Sequence, residues 1–315
     1  MKAVLHYRAS AGFRAMLADQ AAAAGVDAVV VDEIDDADFA REIGDAEVLL
    51  HVLKPVTPAM IAGAPKLRLI QKLGVGVNTI DLEAARAAGV AVANMPGTNS
   101  QAVAEMALAL MLSVLRRLSY LDPLTRGGDG WSPDTDLIDG VGEIAGRTVG
   151  FVGYGASSSR LGAALEALGA QVIYTARSPK PELPGRFVAL DELLASADII
   201  SLHVPLTPET EGLIGPAALA AMKPGAILVN TARGGLVDEV ALVEALRSGR
   251  LRGAGLDVFA AEPVDPANPL LSLPNVVVAP HQAWLTPETL DRSLVVAFDN
   301  CRRLMAGQTL LNQVV

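Results

Sequence analysis

The sequence predicts an α/β protein with two doubly wound domains, each built on a parallel β-sheet that carries helices on both faces. Short runs rich in Val, Leu and Ile alternate with helical patterns along nearly the whole chain of 315 residues. The runs are continuously apolar, which is typical of parallel strands that are buried on both faces. They form two series, and each series is long enough for a domain with its own core.

The first series predicts five strands in the N-terminal part of the chain. Helical patterns lie between them, as at residues 13–24 and 82–88. Pro96 and Gly97 end the series, and the Thr-Asn-Ser sequence at 98–100 offers N-caps for the long helix that follows. The strands are expected at residues 2–6, 28–31, 47–50, 68–71 and 90–92.

The second series repeats this arrangement and is followed by a lone helix. The apolar tract from Met106 to Leu115 is far shorter than the ~20 residues that span a bilayer, so we expect a helix buried inside the protein or against a second subunit. Pro287 opens the final helix, which is expected to end near Met305. The strands of this series are expected at residues 148–152, 171–175, 198–202, 226–230, 254–258 and 276–279.

Composition argues against several classes of protein. The formal net charge is −10 and Lys and Arg form no cluster, so we expect no nucleic-acid partner. Four histidines and one cysteine show no metal-ligand spacing, so we expect no metal. Cys301 is the only cysteine, which rules out an intramolecular disulfide, and the N-terminus has no signal-peptide pattern. We therefore expect a cytoplasmic protein without a membrane partner.

A glycine-rich turn after the strand at 148–152 indicates a dinucleotide site. Residues 153–158 read Gly-Tyr-Gly-Ala-Ser-Ser and lead from a strand into a helix, the context that a dinucleotide fingerprint requires. Gly153 permits the tight turn, and Gly155 lets the backbone approach a pyrophosphate at the helix N-terminus. Ser158 replaces the glycine that normally allows close helix packing, although its hydroxyl could bond the backbone locally. An ordinary strand-to-helix turn is the alternative interpretation.

The end of the next strand favours NADP(H) over NAD(H). An acidic residue there would bond the ribose hydroxyls of NAD, but the chain reads Thr175-Ala176-Arg177-Ser178. Without that carboxylate a 2′-phosphate meets no repulsion, and Arg177 and Ser178 could bind it through charge-assisted hydrogen bonds. We therefore expect NADP(H), with NAD(H) as the alternative if Arg177 is only a solvated loop residue.

Three polar residues follow apolar runs in the last third of the chain: Arg233, Glu262 and His281. The carboxyl ends of parallel strands meet at the edge where open α/β sheets bind ligands. A guanidinium there offers a planar fork for a carboxylate, and a histidine side chain titrates near neutral pH and can transfer a proton. Taken singly, the arginine could cap a helix, the glutamate could precede a proline turn and the histidine could belong to the core. Together they indicate a site for a small carboxylate.

Six motifs then occur in one order and cover essentially the whole chain. They are Gly74–Asp81, the Gly153 turn, His203–Thr210, Asn230–Gly234, Glu262-Pro263 and Pro280-His281. On these motifs the chain resembles the D-isomer-specific 2-hydroxyacid dehydrogenases. Because it has no acidic residue at position 176, the chain is similar to the NADP-using glyoxylate and hydroxypyruvate reductases of that family. Two departures from the family pattern are Asn78, where the first loop often carries Asp, and the serines at 157 and 158.

The resemblance implies a discontinuous substrate domain and a homodimer. A Rossmann cofactor domain at residues 98–285 would be inserted in a flavodoxin-like substrate domain formed by residues 1–97 and 286–315. Backbone N–H groups of Val75 and Gly76 would bind the substrate carboxylate, and Asp257 would contact the nicotinamide amide. The cofactor-binding residues expected from the turn and the resemblance are Gly153, Tyr154, Gly155, Ala156, Ser157, Ser158, Arg177, Ser178, Thr98, Val204, Pro205, Thr231, Ala232 and Asp257.

The residues and the resemblance together predict an oxidoreductase that reduces a small 2-oxo acid, such as glyoxylate or hydroxypyruvate, to the D-2-hydroxy acid. NADPH would supply the hydride and His281 the proton, while Glu262 would stabilise the imidazolium and orient the ring. Arg233 would bind the substrate carboxylate or carbonyl. The alternatives are a dinucleotide-sensing protein similar to certain corepressors and a formate or phosphite dehydrogenase. We also expect Lys72 at the solvated surface and Trp284 as an apolar wall of the site.

Overall fold

Two parallel β-sheets organise the chain in the computed structural model, which describes residues 1–131 and 140–315. One compact unit comprises Met1–Asn99 and Leu285–Val315, and the other comprises Ser100–Trp284. The first unit contains a five-stranded sheet and the second a seven-stranded sheet. Neighbouring strands of both sheets pair in parallel throughout the described residues. The predicted α/β class with two parallel-sheet domains is confirmed.

The five-stranded sheet belongs to the first unit. Its strands are β1 (Lys2–His6), β2 (Asp27–Val31), β3 (Val48–His51), β4 (Leu69–Lys72) and β5 (Ala91–Ala93). They lie in the order β2-β1-β3-β4-β5. The central strands β1, β3 and β4 are buried along nearly their whole length, which explains why their sequences are apolar without alternation.

The seven-stranded sheet belongs to the second unit and has the order β12-β11-β10-β9-β6-β7-β8. Its strands are β6 (Thr148–Val152), β7 (Gln171–Thr175), β8 (Arg186–Phe187), β9 (Ile199–Leu202), β10 (Ala226–Asn230), β11 (Leu251–Leu256) and β12 (Val276–Val278). The order reverses between β6 and β9, where doubly wound sheets bind ligands. Strand β11 begins three residues before the predicted start because Arg252 and Gly253 interrupt its apolar pattern. The short edge strand β8 was not predicted.

Eleven α-helices flank the sheets in the described ranges. They are α1 (Ala11–Ala24), α2 (Asp36–Ile43), α3 (Pro58–Ala62), α4 (Leu82–Ala87), α5 (Ser100–Leu115), α6 (Leu118–Gly127), α7 (Ala156–Ala167), α8 (Leu190–Ser196), α9 (Pro216–Ala221), α10 (Glu239–Arg247) and α11 (Pro287–Met305). Short 3-10 helices lie at Gly234–Leu236 and Pro269–Ser272. No helix within the described ranges combines the length and apolar character needed to cross a bilayer.

The apolar tract at residues 106–115 forms the second half of α5, and its packing inside the second unit confirms the predicted buried helix. Strand β11 accommodates this helix through two glycines. A Cβ atom at Gly255 would lie 2.8 Å from the Leu110 Cβ, and one at Gly253 would lie 2.7 Å from a Val114 methyl. Because the strand has no side chains at these two positions, α5 lies directly on the sheet.

Helix α11 belongs to the first unit, although its sequence follows the second. The fully buried Asn300 side chain donates to Gln71 Oε1 at 2.6 Å and to the Leu311 carbonyl at 3.1 Å. Its own carbonyl oxygen accepts from the Leu311 N–H at 2.7 Å. One buried amide therefore joins α11, strand β4 and the C-terminal segment, and its polar atoms are all paired, as burial requires.

Candidate active site

Three of the predicted site residues leave the second sheet at its carboxyl edge. Arg233 follows β10 and His281 follows β12, while Glu262 lies in the loop after β11. Strands β10, β11 and β12 are adjacent and parallel, so their carboxyl ends share one edge. The sheet therefore brings together three side chains that are up to 48 residues apart in sequence (281 minus 233).

Glu262 and His281 form a direct hydrogen-bonded pair. The distance between His281 Nδ1 and Glu262 Oε2 is 2.6 Å, and the two side chains are 21% and 34% exposed. The second carboxylate oxygen, Oε1, accepts from the Phe259 N–H at 2.9 Å. Because Nδ1 is engaged by the carboxylate, Nε2 is the ring nitrogen that can exchange a proton with a substrate.

The surroundings of Glu262 keep it ionised. Burial by itself raises the pKa of the Glu262 carboxyl, and the hydrogen bonds from His281 and from the Phe259 N–H oppose that rise. The positive charges of His281 and Arg233 act in the same direction, so the pKa lies below its usual value. The side chain is therefore a carboxylate at neutral pH, able to orient the imidazole and to stabilise its protonated form.

Asp257 holds the backbone that carries His281. Its carbonyl accepts from the His281 N–H at 2.7 Å, and its two carboxylate oxygens accept from the N–H groups of Gln282 and Ala283, both at 2.8 Å. Burial of this fully enclosed side chain raises the pKa of Asp257, and the two N–H bonds oppose that rise.

His281 adopts a left-handed backbone conformation, with φ of 55°. Non-glycine residues adopt this conformation at an energetic cost and keep it only where the surrounding structure imposes it. The Asp257 contacts supply part of that restraint. The Trp284 indole supplies more, since its Nε1–H donates to the His281 carbonyl at 3.1 Å. Trp284 thus orients His281, a role that its predicted place as an apolar wall did not include.

Arg233 is held by the strand end that precedes it. Asn230, the last residue of β10, is 1% exposed; its amide donates to the Arg233 carbonyl at 2.8 Å and accepts from the Ala232 N–H at 3.0 Å. The Arg233 guanidinium is half-buried and donates to the Ala232 carbonyl at 2.6 Å. Burial lowers the pKa of Arg233 and the Glu262 charge raises it, but an arginine remains charged in either case.

Gly234 brings the Arg233 loop against the loop that carries Glu262. A Cβ atom at this glycine would overlap the carbonyl group of Phe259 and crowd the nitrogen of Ala260. The obstacle is backbone, which cannot rotate aside as a side chain can. Only glycine therefore allows the two loops to meet at this separation.

The predicted dinucleotide turn connects β6 to the N-terminus of α7. Gly153 has φ of 90°, and a Cβ there would lie 2.7 Å from the His203 carbonyl oxygen, so both its conformation and its packing require glycine. No atom lies within 4 Å of a Cβ at Gly155, so the backbone is open to approach. Ser158 is fully buried, and its Oγ accepts from the Gly155 N–H at 2.8 Å. The serine thus forms the local backbone bond considered from the sequence.

The residues around this turn fit a dinucleotide. The first N–H groups of α7 have no partner within their own helix, which creates a site suited to a pyrophosphate. Thr231 Oγ1 is buried and has no hydrogen-bond partner among the described residues, so it is available to a ligand. Arg177 and Ser178 are exposed just beyond β7, whose last residue, Thr175, accepts from the Gly153 N–H at 2.9 Å.

The comparison with protein families agrees with this arrangement. Residues 108–283, more than half of the chain, match the family model described as D-isomer specific 2-hydroxyacid dehydrogenase, NAD binding domain. The chain belongs to the D-isomer-specific 2-hydroxyacid dehydrogenase family. The identification made from the six sequence motifs is confirmed.

Individual members of this 2-hydroxyacid dehydrogenase family are similar over most of the chain. It is 42% identical over 300 residues to the D-3-phosphoglycerate dehydrogenase of Mycobacterium leprae, covering 93% of this chain and 56% of that protein. It is 41% identical over 263 residues to the glyoxylate reductase of Aeropyrum pernix, covering 81% and 78%. The crystal structure of the TT0316 protein from Thermus thermophilus is 38% identical, covers both chains completely and superposes with a TM-score of 0.90. The chain spans little more than half the length of the M. leprae protein.

The other residues predicted to form the site lie at varied positions. Val204 and Pro205 follow β9, and Ala232 precedes Arg233, all in the second unit. Thr98 belongs to the first unit, where its carbonyl accepts from Arg292 at 2.8 Å. Val75 and Gly76 also belong to the first unit, in the loop after β4, and Val75 is 43% exposed.

The packing limits one of these predictions to the backbone and corrects another. The Tyr154 side chain cannot line a cofactor site, because it is buried, donates to the Pro184 carbonyl at 2.6 Å and stacks on Tyr174 with the ring centroids 4.1 Å apart. Only the Tyr154 backbone remains available in the turn. Lys72 is not solvated: it is 6% exposed, and its Nζ donates to the Val52 carbonyl. Neither packing arrangement has a local sequence signature.

Asn230 is a site residue whose role the sequence analysis missed. It carries an amide at the end of a strand that is otherwise wholly apolar and buried, and that pattern is a usable signal. A buried side-chain amide needs several hydrogen bonds. A strand end provides them only if the next loop turns back onto it, as the Arg233 loop does.

We expect Gly234→Ala to destabilise the protein, because the added methyl group displaces the backbone of the Glu262 loop (residues 259–263). The free energy of unfolding should fall by about 1–3 kcal/mol or more, as in other overpacked sites. Urea denaturation measures it. Gly235→Ala is the matched control, since its Cβ would lie 3.1 Å from a Leu206 methyl, a side-chain group that can rotate aside. Equal stability of the two variants would contradict the proposed close contact.

Proposed function

We propose that this chain reduces a small 2-oxo acid of the glyoxylate or hydroxypyruvate type to the D-2-hydroxy acid, with NADPH as the reductant. The observation that carries the proposal is the 2.6 Å bond between His281 and Glu262. Arg233 is close enough to that pair to influence the Glu262 pKa. The glyoxylate reductase of Aeropyrum pernix, 41% identical, supports this substrate class.

Each of the three residues has a distinct task in the proposed reaction. The Arg233 guanidinium binds the substrate carboxylate or carbonyl through its planar pair of N–H donors. His281 donates a proton from Nε2 to the carbonyl oxygen. Before that transfer, the negative charge of the Glu262 carboxylate stabilises the imidazolium form of His281. When bound, the nicotinamide ring supplies the hydride.

The second candidate is the interconversion of 3-phosphoglycerate and its 2-oxo acid. The specific observation that favours it is the 42% identity to the Mycobacterium leprae D-3-phosphoglycerate dehydrogenase over 93% of this chain. That substrate is also a 2-hydroxy acid, so the same three residues would act on it. It differs in carrying a second anionic group, and a direct comparison of substrates separates the two candidates.

Turnover of a substrate panel tests the function. With purified protein and NADPH, we expect nicotinamide absorbance to fall with glyoxylate or hydroxypyruvate faster than with phenylpyruvate or 3-phosphohydroxypyruvate. His281→Ala should lower kcat by about 100-fold to 10,000-fold, because the proton donor is lost. Arg233→Ala should raise the substrate KM about tenfold to a hundredfold, since a charge-assisted bond is lost.

The control for these variants is Arg247→Ala, which removes an exposed arginine at the end of α10 and should behave like the wild type. Unchanged rates in His281→Ala would overturn the assigned roles. Absence of turnover with every acid, together with intact cofactor binding, would instead favour a binding protein.

The proposed preference for NADPH depends on the end of β7. Arg177 and Ser178 are exposed there, and Ala176 occupies the place where a carboxylate would bond the adenosine ribose of NAD. The Gly153 N–H donates to the Thr175 carbonyl, which keeps this segment beside the dinucleotide turn. A guanidinium at that position is suited to a 2′-phosphate.

Removing the Arg177 side chain should therefore weaken the binding of NADPH but not the binding of NADH. In Arg177→Ala we expect the KM for NADPH to rise about tenfold, the value of one charge-assisted bond, with the KM for NADH unchanged. Arg186→Ala on β8 is the control, because Arg186 is also exposed and pairs with Glu192. Steady-state kinetics with both cofactors measures the effect, and an equal rise for NADH would argue against a 2′-phosphate contact.

A homodimer is part of the proposal. Helix α6 has no buried residue, although one of its sides is apolar. Leu118 is 51% exposed at its start, and Trp131 beyond it is 88% exposed. A groove between α6 and the 3-10 helix at Pro269–Ser272 is lined by Tyr120, Leu124 and Leu271. An apolar surface of this kind is typical of a subunit interface, and a second copy of the chain would cover it.

Sedimentation velocity tests this interface. We expect the wild type to sediment as a dimer and Leu118→Asp to raise the dimer dissociation constant at least about tenfold, since a charge would enter an apolar contact. Aspartate in the first turn favours the helix itself, so α6 should remain folded. Leu168→Asp is the control, because Leu168 is 47% exposed in the same unit but lies at the end of α7. Equal dissociation of both variants would place the interface elsewhere.

A further inference from the structure

Glu239 is a half-buried residue at the start of α10, and its side-chain carboxylate accepts two hydrogen bonds from outside that helix. Its Oε1 accepts from the Ala260 N–H at 2.6 Å, and its Oε2 accepts from the Asn268 side-chain amide at 3.0 Å. Both oxygens therefore bind the long connection between β11 and β12. Helix capping does not account for Glu239, because Asp238 already caps α10 by accepting from the Ala241 N–H at 3.0 Å.

The segment that Glu239 holds is the Glu262 loop. Its residues from Ala260 to Pro263 are exposed, so apolar burial contributes little to their position. Phe259 is buried, and its N–H donates to Glu262 at 2.9 Å. On the side of the Arg233 loop, the Gly234 backbone limits how far the loop can approach. The Glu239 side chain therefore holds the loop at Ala260, one residue after the buried Phe259 and two residues before Glu262.

We propose that Glu239 is a positioning residue for the reaction: it fixes the Glu262 loop so that the Glu262 carboxylate meets His281 Nδ1. This inference rests on the proposed function, in which that pair supplies the proton. A carboxylate is well suited to the task, since an N–H bond to a charged acceptor is shorter and stronger than one to a neutral acceptor. An exposed loop needs that strength because water competes for the same N–H.

Kinetics of Glu239 variants test the proposal. In Glu239→Ala we expect kcat to fall about tenfold to a hundredfold, since small misplacement of a catalytic group has effects of this size. The KM values for the 2-oxo acid and for NADPH should stay near those of the wild type, because the Glu239 side chain binds Ala260 and Asn268, which belong neither to the Arg233 loop nor to the dinucleotide turn. Glu239→Gln keeps a neutral oxygen for the Ala260 N–H and should recover only part of the rate, because the charged acceptor is lost. Glu244→Ala removes an exposed carboxylate from the same helix and should leave kcat unchanged.

A double-mutant cycle separates positioning from a general loss of structure. If Glu239 acts through Glu262, adding Glu239→Ala to Glu262→Gln should lower kcat less than about twofold further, since coupled residues are not additive. An equal effect of Glu239→Ala in both backgrounds would overturn the proposal. So would a Glu239→Ala enzyme that is indistinguishable from Glu244→Ala. Thermal unfolding of each variant establishes that it is folded at the assay temperature.

Amide hydrogen exchange provides a readout that does not depend on turnover. Exchange in the segment 257–264 should rise about tenfold or more in Glu239→Ala, because a hydrogen bond protecting the loop is lost. It should not rise in Glu244→Ala, and segment 150–158 at the dinucleotide turn should be unchanged in both. Unchanged exchange at 257–264 would overturn the proposal. If the wild type reduces none of the 2-oxo acids, the proposed function fails, while the exchange experiment still decides whether Glu239 holds the loop.

Discussion

Backbone register between β10, β11 and β12 places Asn230, Leu256 and Val278 in one row across the sheet. The loops that carry Arg233, Glu262 and His281 all leave from that row. Parallel pairing imposes this arrangement, because strands that run in the same direction end at the same edge. The candidate site therefore depends on hydrogen bonds of the sheet before it depends on any side chain.

Polar atoms at that edge restrain one another instead of facing water. The Asp257 carboxylate is fully buried, and two backbone N–H groups offset the cost of removing it from solvent. The Asp257 hydrogen bonds and the bond from the Trp284 indole together support the left-handed conformation of His281. Asn230 performs the corresponding task for Arg233. Rigid strand ends thus orient groups that would otherwise sample many rotamers, which is what a preorganised proton-transfer site requires.

A buried polar side chain also stabilises the dinucleotide turn. In the common fingerprint a third glycine lets the helix lie close to the strand. Here Ser158 occupies that place, is fully buried and accepts a hydrogen bond from the Gly155 N–H. That bond satisfies the Gly155 N–H at the start of α7, whereas the first N–H groups of the helix have no partner within the helix itself. The serine therefore changes the internal bonding of the turn without filling the space in front of Gly155.

The two parallel sheets, the glycine-rich turn and the polar residues at the strand ends could all be predicted from the sequence. Continuous apolar runs, glycines and a polar residue after each run are local patterns, and local patterns report local structure. The inward orientation of Tyr154, the burial of Lys72 and the bond between Glu239 and Ala260 could not be predicted in this way. These features depend on contacts between distant parts of the chain. Such contacts form when neighbouring elements pack together, and the spacing of residues along the sequence does not predict them.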